Sequence, residues 1–203
     1  MTELTKDPIR QGNRTSVIDH YVHEDIKDES SKYKYHDFVK LNGIGKKFQN
    51  INFEHCTFDS CYFKNCVFDS CSFIGCRFIS SNLHQSTFTG CDFRYATFDK
   101  TLIDYDILEK EAPLEENLRM HFSRSLRMNY QQIGDAKAVN NAISLELKTT
   151  ADYLLKSWAS SETYYHKKYI GWKKVAQFFK WLEFKSLDFI WGNGESVFLH
   201  YPI

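Results

Sequence analysis

The residues of this 203-residue chain whose type and spacing could do chemistry are its six cysteines: Cys56, Cys61, Cys66, Cys71, Cys76 and Cys91. Thiols at such spacings can form disulfides or hold a soft metal. A secreted disulfide scaffold, however, scatters its cysteines irregularly, whereas these stand at intervals of five or multiples of five. The regularity points instead to a structural repeat in a reducing compartment. The histidines add no ligand set, since His20 and His23 lie in a polar leader and His55 sits next to an inward-facing Cys56. No phosphate loop, nucleophile elbow, zinc spacing outside the repeat or paired carboxylates appear, so no enzyme activity, cofactor or metal is expected.

The elements that position these thiols follow from a period of five. Large apolar residues recur at Phe48, Phe53, Phe58, Phe63, Phe68, Phe73, Phe78, Leu83, Phe88, Phe93, Phe98 and Ile103. Two residues before nearly every centre is a smaller one, from Ile51 through the cysteines to Thr101, with Lys46 the exception. A spacing of two puts both residues on one side of an extended segment, and the next inward residue then comes three positions later. A corner must fall in each unit. A helix is excluded, because a strict step of five smears around its cylinder instead of forming a stripe.

Units such as Cys56-Thr57-Phe58-Asp59-Ser60 and Cys71-Ser72-Phe73-Ile74-Gly75 resemble the pentapeptide-repeat family, whose unit is A-(D/N)-L-x-x or its Cys/Phe-rich variant. The resemblance covers residues 46–105 and implies a right-handed quadrilateral β-helix with four units per coil, hence about three coils and a rise of roughly 14 Å. It would set Cys56 over Cys76 and Cys71 over Cys91. In this family the small inward position is Ala, Ser, Cys or Thr, and buried Cys behaves as a small hydrophobe, so the thiols are expected to pack. Tyr33 and Phe38 stay in phase while Gly43 breaks it, which makes residues 33–45 a degenerate cap.

One branch of the family protects DNA gyrase by imitating duplex DNA, which requires a long, strongly acidic rod. Here the outward residues are mixed: Glu54, Asp59, Asp69, Asp92 and Asp99 against Lys64, Arg77, Arg94 and Lys100. The whole chain balances 26 basic against 26 acidic side chains. A gyrase or topoisomerase inhibitor is therefore the alternative reading, and nucleic-acid binding is not expected.

After Pro113 the period becomes helical. Leu118, Phe122, Leu126, Tyr130 and Ile133 mark one helix, Gly134 suits its end, and Asp135 can cap a second helix with Ala138, Ala142, Ile143, Leu147 and Leu154 inward. The two read as an αα-hairpin covering the last coil. A third segment, from about Glu162 to Trp191, interleaves lysines with aromatic residues. Lys167, Lys168, Trp172, Lys173, Lys174, Lys180, Trp181 and Lys185 form its candidate membrane or partner face. The same composition fits a helix whose aromatic side packs on protein while its lysines snorkel, and both readings stay open.

Tyr130-Gln131-Gln132-Ile133-Gly134-Asp135, Glu146 and Trp191-Gly192-Asn193-Gly194-Glu195-Ser196 resemble the linker of pentapeptide-repeat proteins that continue into a membrane ion-channel-like module. No apolar span follows here, so that module is expected to be absent. With no signal peptide or span, the chain reads as cytoplasmic, peripheral attachment at the inner membrane face remaining open. The expected organisation is a loose polar leader at 1–32, a cap at 33–45, a β-solenoid at 46–105 and an α-helical region at 113–203. The expected role is a non-enzymatic interaction or scaffold module with a protein partner or an anionic membrane surface, oligomerisation remaining open.

Overall fold

A computed structural model of the chain describes residues 14–28 and 32–191. Among the described residues nine short strands run in order: β1 Thr15–Ile18, β2 Ile26–Lys27, β3 His36–Val39, β4 Lys47–Gln49, β5 Thr57–Asp59, β6 Val67–Asp69, β7 Arg77–Ile79, β8 Thr87–Thr89 and β9 Thr97–Asp99. They form two parallel sheets, ordered β1-β3-β5-β7-β9 and β2-β4-β6-β8. Phe58 pairs with Phe38 below and Phe78 above, a register of twenty residues, so four five-residue units complete one coil. The other two faces are held by single bridges, Tyr21–Asn42–Tyr62–Asn82–Leu102 and Asn52–Ser72–Asp92.

The corner has a fixed place in the unit. Every fifth residue from Tyr35 to Lys100 adopts a left-handed backbone, with φ between 47° and 68°. Asn50, Asn65, Gly75 and Gly90 accept this conformation readily, while His55 and Tyr95 adopt it at some steric cost. Gly75 has a second reason to lack a side chain: a Cβ there would lie 2.6 Å from Nδ1 of His55 on the coil below.

The phenylalanines fill the column. Phe38, Phe58, Phe78 and Phe98 stack with near-parallel planes at 4.9–5.1 Å, as do Phe48, Phe68 and Phe88 at 4.9–5.2 Å, and Phe53, Phe73 and Phe93 at 4.9–5.4 Å. Neighbouring ladders meet largely edge to face, as between Phe68 and Phe73 at 5.5 Å. Offset stacks and edge contacts are the arrangements aromatic quadrupoles favour. The fourth ladder runs Gly43, Phe63, Leu83, Ile103; the three side chains are buried, and the rings of Phe63 and Phe48 fill the room beside Gly43.

Residues 46–105 make the three expected coils, and the residues before them add a further one, so the whole column has about four. One expectation is corrected. Within the expected loose leader, Thr15–Ile18 pairs with β3 and Ile26–Lys27 with β4, at offsets of 21 and 22 residues. Those longer coils carry Val17, Val22 and Ile26 out of the five-residue phase, which hides them from a search at fixed spacing. Arg14 ties this first coil down, its guanidinium donating to the carbonyl oxygens of His36 and His55 and to Thr57 Oγ1, and pairing with Asp37 at 2.8 Å. Residues 1–13 and 29–31 of the leader lie outside the described residues. Gly43 has no side chain to continue the apolar phase, yet its N–H donates to the carbonyl of Tyr62 as the ladder requires.

Five helices follow among the described residues: α1 Ile107–Lys110, α2 Glu116–Ile133, α3 Ala136–Ala159, α4 Thr163–Lys168 and α5 Trp172–Trp191. Gly134 ends α2 with φ 77°, the N–H of Asp135 returns to Tyr130 O, and the Asp135 carboxylate accepts from the N–H of Ala138 at 2.9 Å to start α3. Arg124 and Arg127 clamp Glu146 across the hairpin at 2.9–3.0 Å. The segment read as one helix from Glu162 is two, broken before Gly171, where φ is +57°. Of the channel-linker resemblance, residues 192–196 lie outside the described residues.

Candidate docking surface

The thiols come first, because their surroundings decide whether they can react. Each is buried and donates to a carbonyl of the preceding coil: Cys56 to Tyr33, Cys61 to Phe38, Cys66 to Gly43, Cys71 to Phe48, Cys76 to Phe53 and Cys91 to Phe68, at 2.7–3.5 Å. Ser81 makes the same bond to Phe58. Desolvation pushes the Cys56 thiol up to about 12 and those of Cys61 and Cys66 up to about 11. Cys71 is shifted the other way, its thiol lowered by the hydrogen bond with Cys91; all six side chains pack inside the column and are free of disulfides. Among the described residues, no group of three His, Cys, Asp or Glu side chains could hold a metal ion.

At the C-terminal end the ladder would leave backbone groups open to water, and side chains from the helices take the place of the missing coil. The Asn129 amide accepts from Thr101 N at 2.7 Å and donates to Thr101 O at 2.8 Å, as a paired strand would. Ser125 and Gln132 accept from the N–H groups of Phe98 and Lys100. Glu111 accepts from Cys91 N at 2.6 Å, and burial pushes its carboxyl above the ordinary range. Phe122 closes the aromatic stack against Phe93 and Phe98. At the opposite end a cavity of about 730 Å³ is lined by Val17, Val22, Ile26, Tyr33, Phe38 and Leu41 among others.

The surface that the cap then presents is α4 and α5. α4 is pinned inward: Tyr165 is buried and donates to Glu116 at 3.1 Å, and Glu116 also pairs with Lys156 at 2.6 Å. Lys168 sits among three tyrosines, donating to Tyr164 at 2.8 Å and Tyr153 at 3.2 Å, with its ammonium 5.0–5.6 Å from the rings of Tyr153, Tyr164 and Tyr169. Those hydrogen bonds favour its charged form and tie it to α3 and α4, while the residue itself stays exposed. The candidate face therefore divides. Trp181 lies in the seam with α3, where Trp158 meets Phe178 at 5.0 Å and Trp181 at 5.5 Å. Lys167, Trp172, Lys173, Lys174, Lys180 and Lys185 are exposed. Of those lysines, Lys185 pairs with Asp188 at 3.7 Å; the other four make no ion pair among the described residues.

Sequence reasoning about lysines missed the apolar stripe on the outside of α5. Trp172 is 87% exposed, Phe179 61% and Phe189 86%, with Val175 and Leu182 exposed between them. Their steps of three, four, three and seven residues would have revealed it, had the segment been divided by face. No helix among the described residues is long and apolar enough to cross a membrane.

A family model described as pentapeptide repeats (9 copies) matches residues 47–84 and 63–103. No curated protein matches the chain. Among solved structures, one of QnrB1, a plasmid-mediated fluoroquinolone resistance protein, is 15% identical with a TM-score of 0.24. That match covers 43% of this chain and 62% of the other, less than two thirds of its length. A pentapeptide repeat protein from the Arabidopsis thaliana thylakoid lumen is 13% identical with a TM-score of 0.24, over 58% of this chain and 88% of that one.

Proposed function

From the premise that residues 47–103 are a pentapeptide-repeat domain, we propose that the chain is a non-enzymatic docking module. The capped column is its rigid platform, and the outer face of α5 engages a partner protein or the cytoplasmic face of a membrane. The observation that carries this reading is the division of α5: one face packs on Trp158 through Phe178 and Trp181, and the other exposes Trp172, Phe179 and Phe189. An unpartnered apolar stripe of that extent is costly to leave in water and marks an interaction surface. A duplex-mimicking gyrase partner draws less support, since acidic side chains on the column pair with neighbouring cations, Glu54 with Lys34, Asp69 with Lys47 and Asp92 with Arg94.

The test is the double variant Trp172→Ser, Phe179→Ser expressed in cells. Both side chains are exposed, so the melting temperature is expected to stay within about 2 °C of wild type. The wild-type chain should fractionate with a larger assembly and the variant as the free chain. A wild-type chain found free, or a variant that keeps the assembly, would overturn the reading.

A further inference from the structure

Resting on α5 as the docking element, the chemistry of its surroundings selects one class of partner. The stripe Trp172, Val175, Phe179, Leu182, Phe189 extends along one side of the helix for about 26 Å at 1.5 Å per residue. Trp172 and Phe189, at its two ends, are the most exposed of these side chains. On a helical projection Lys173 and Lys180 lie to one side of the stripe, with Glu183 between them and it, and Lys174 and Lys185 lie to the other, beyond Phe178. Glu183 and Asp188 are the acids of the helix, and Asp188 is engaged by Lys185. The free charge bordering the apolar side chains is thus mainly cationic.

A second copy of α5 would cover the apolar side chains but bring the same lysine rows toward each other. A neutral apolar protein groove would leave Lys173, Lys174 and Lys180 without counter-charge. An anionic bilayer answers both needs at once, with acyl chains below for the rings and phosphates at the depth the lysine ammonium groups reach. We propose that α5 lies flat in the interface of an anionic lipid bilayer, Trp172, Val175, Phe179, Leu182 and Phe189 entering the acyl boundary and Lys173, Lys174 and Lys180 meeting the lipid phosphates. The tyrosine-caged Lys168 takes no part. Its cage fixes α4 to α3, so the hinge at Gly171 sets where α5 begins.

The test is flotation of the purified full chain with vesicles of phosphatidylcholine containing about a third phosphatidylserine, against phosphatidylcholine alone. Binding to the anionic vesicles should exceed binding to the neutral ones at least tenfold, and should weaken as salt is raised. Trp172→Ser with Phe179→Ser should lower it about tenfold or more, and Lys173→Gln with Lys174→Gln and Lys180→Gln should abolish the preference for anionic lipid. Melting curves matching wild type show that neither variant has unfolded. No flotation on anionic vesicles, or equal flotation on both, refutes the lipid assignment. If the Ser variant meanwhile still loses its assembly in cells, the docking reading stands and the partner is a protein. Self-association that disappears in the Ser variant likewise rejects lipid in favour of a second copy.

Discussion

Replacing Phe73 with alanine removes the ring at the middle of the column. Phe73 is 1% exposed, stacks on Phe53 at 5.4 Å and on Phe93 at 4.9 Å, and meets Phe68 edge to face at 5.5 Å and Phe78 at 5.7 Å. A buried Phe→Ala change costs about 3 to 5 kcal/mol, the higher end applying where surroundings cannot collapse into the space. Collapse is hindered here because each neighbouring ring belongs to a ladder whose height is fixed by strand hydrogen bonds. Each aromatic pair lost adds about 0.5 to 1.5 kcal/mol beyond area burial, which also favours the upper end. For a chain of this size the melting temperature should fall by about 10 °C or more, at about 2 to 4 °C per kcal/mol. Differential scanning calorimetry of Phe73→Ala beside the exposed-site control Phe179→Ala reads the difference. A fall under about 3 °C for Phe73→Ala, or an equal fall for the control, would refute the account of a column held up by its central rings.

Two further outcomes follow from the same geometry. Asn129→Leu strips both partners from the buried Thr101 backbone, at about 1 to 3 kcal/mol for each unsatisfied group, so the urea midpoint should drop and the Thr101 amide should exchange much faster; unchanged protection there would rule out the amide as a strand substitute. At pH 8 a thiol raised to about 11, as at Cys61 and Cys66, is ionised roughly one part in a thousand, so these two thiols should resist a disulfide reagent for many minutes in the folded protein and react at once in guanidinium; Cys61 or Cys66 reacting at the rate of a free thiol in the folded protein would show that the column opens locally.

The column was legible because its physics repeats. A large side chain at nearly each fifth residue needs a corner at each fifth residue, and the corner recurs from Tyr35 to Lys100. What could not be read was whatever departs from the period. The first coil closes in 21 and 22 residues instead of twenty, so Val17, Val22 and Ile26 look like scattered apolar residues in a polar leader. The substitution of Asn129, Ser125 and Gln132 for a further coil is equally silent, because nothing in their types says that their amides and hydroxyl face a strand edge and not water. In the last segment, composition marked lysines and aromatics together. Only the break at Gly171 and the packing of Trp158 separate Lys168 and Trp181, which are used internally, from Trp172 and Phe179, which are not.

That separation also orders the molecule by what it can spare. One apolar core runs from Val22 through the phenylalanine ladders to Phe122, Leu126, Tyr130, Ala138 and Ala142, so the column and the α2–α3 hairpin stand or fall together. Among the described residues, none from α4 or α5 belongs to that cluster. α5 is joined through a seam in which Trp158 meets Phe178 and Trp181. A solenoid cannot give up its cap without exposing strand edges, whereas it can lend out a helix that caps nothing. The placement of the apolar stripe on α5, and not on α2 or α3, is what a docking element requires: a partner can be gained or lost there while the column beneath keeps its shape.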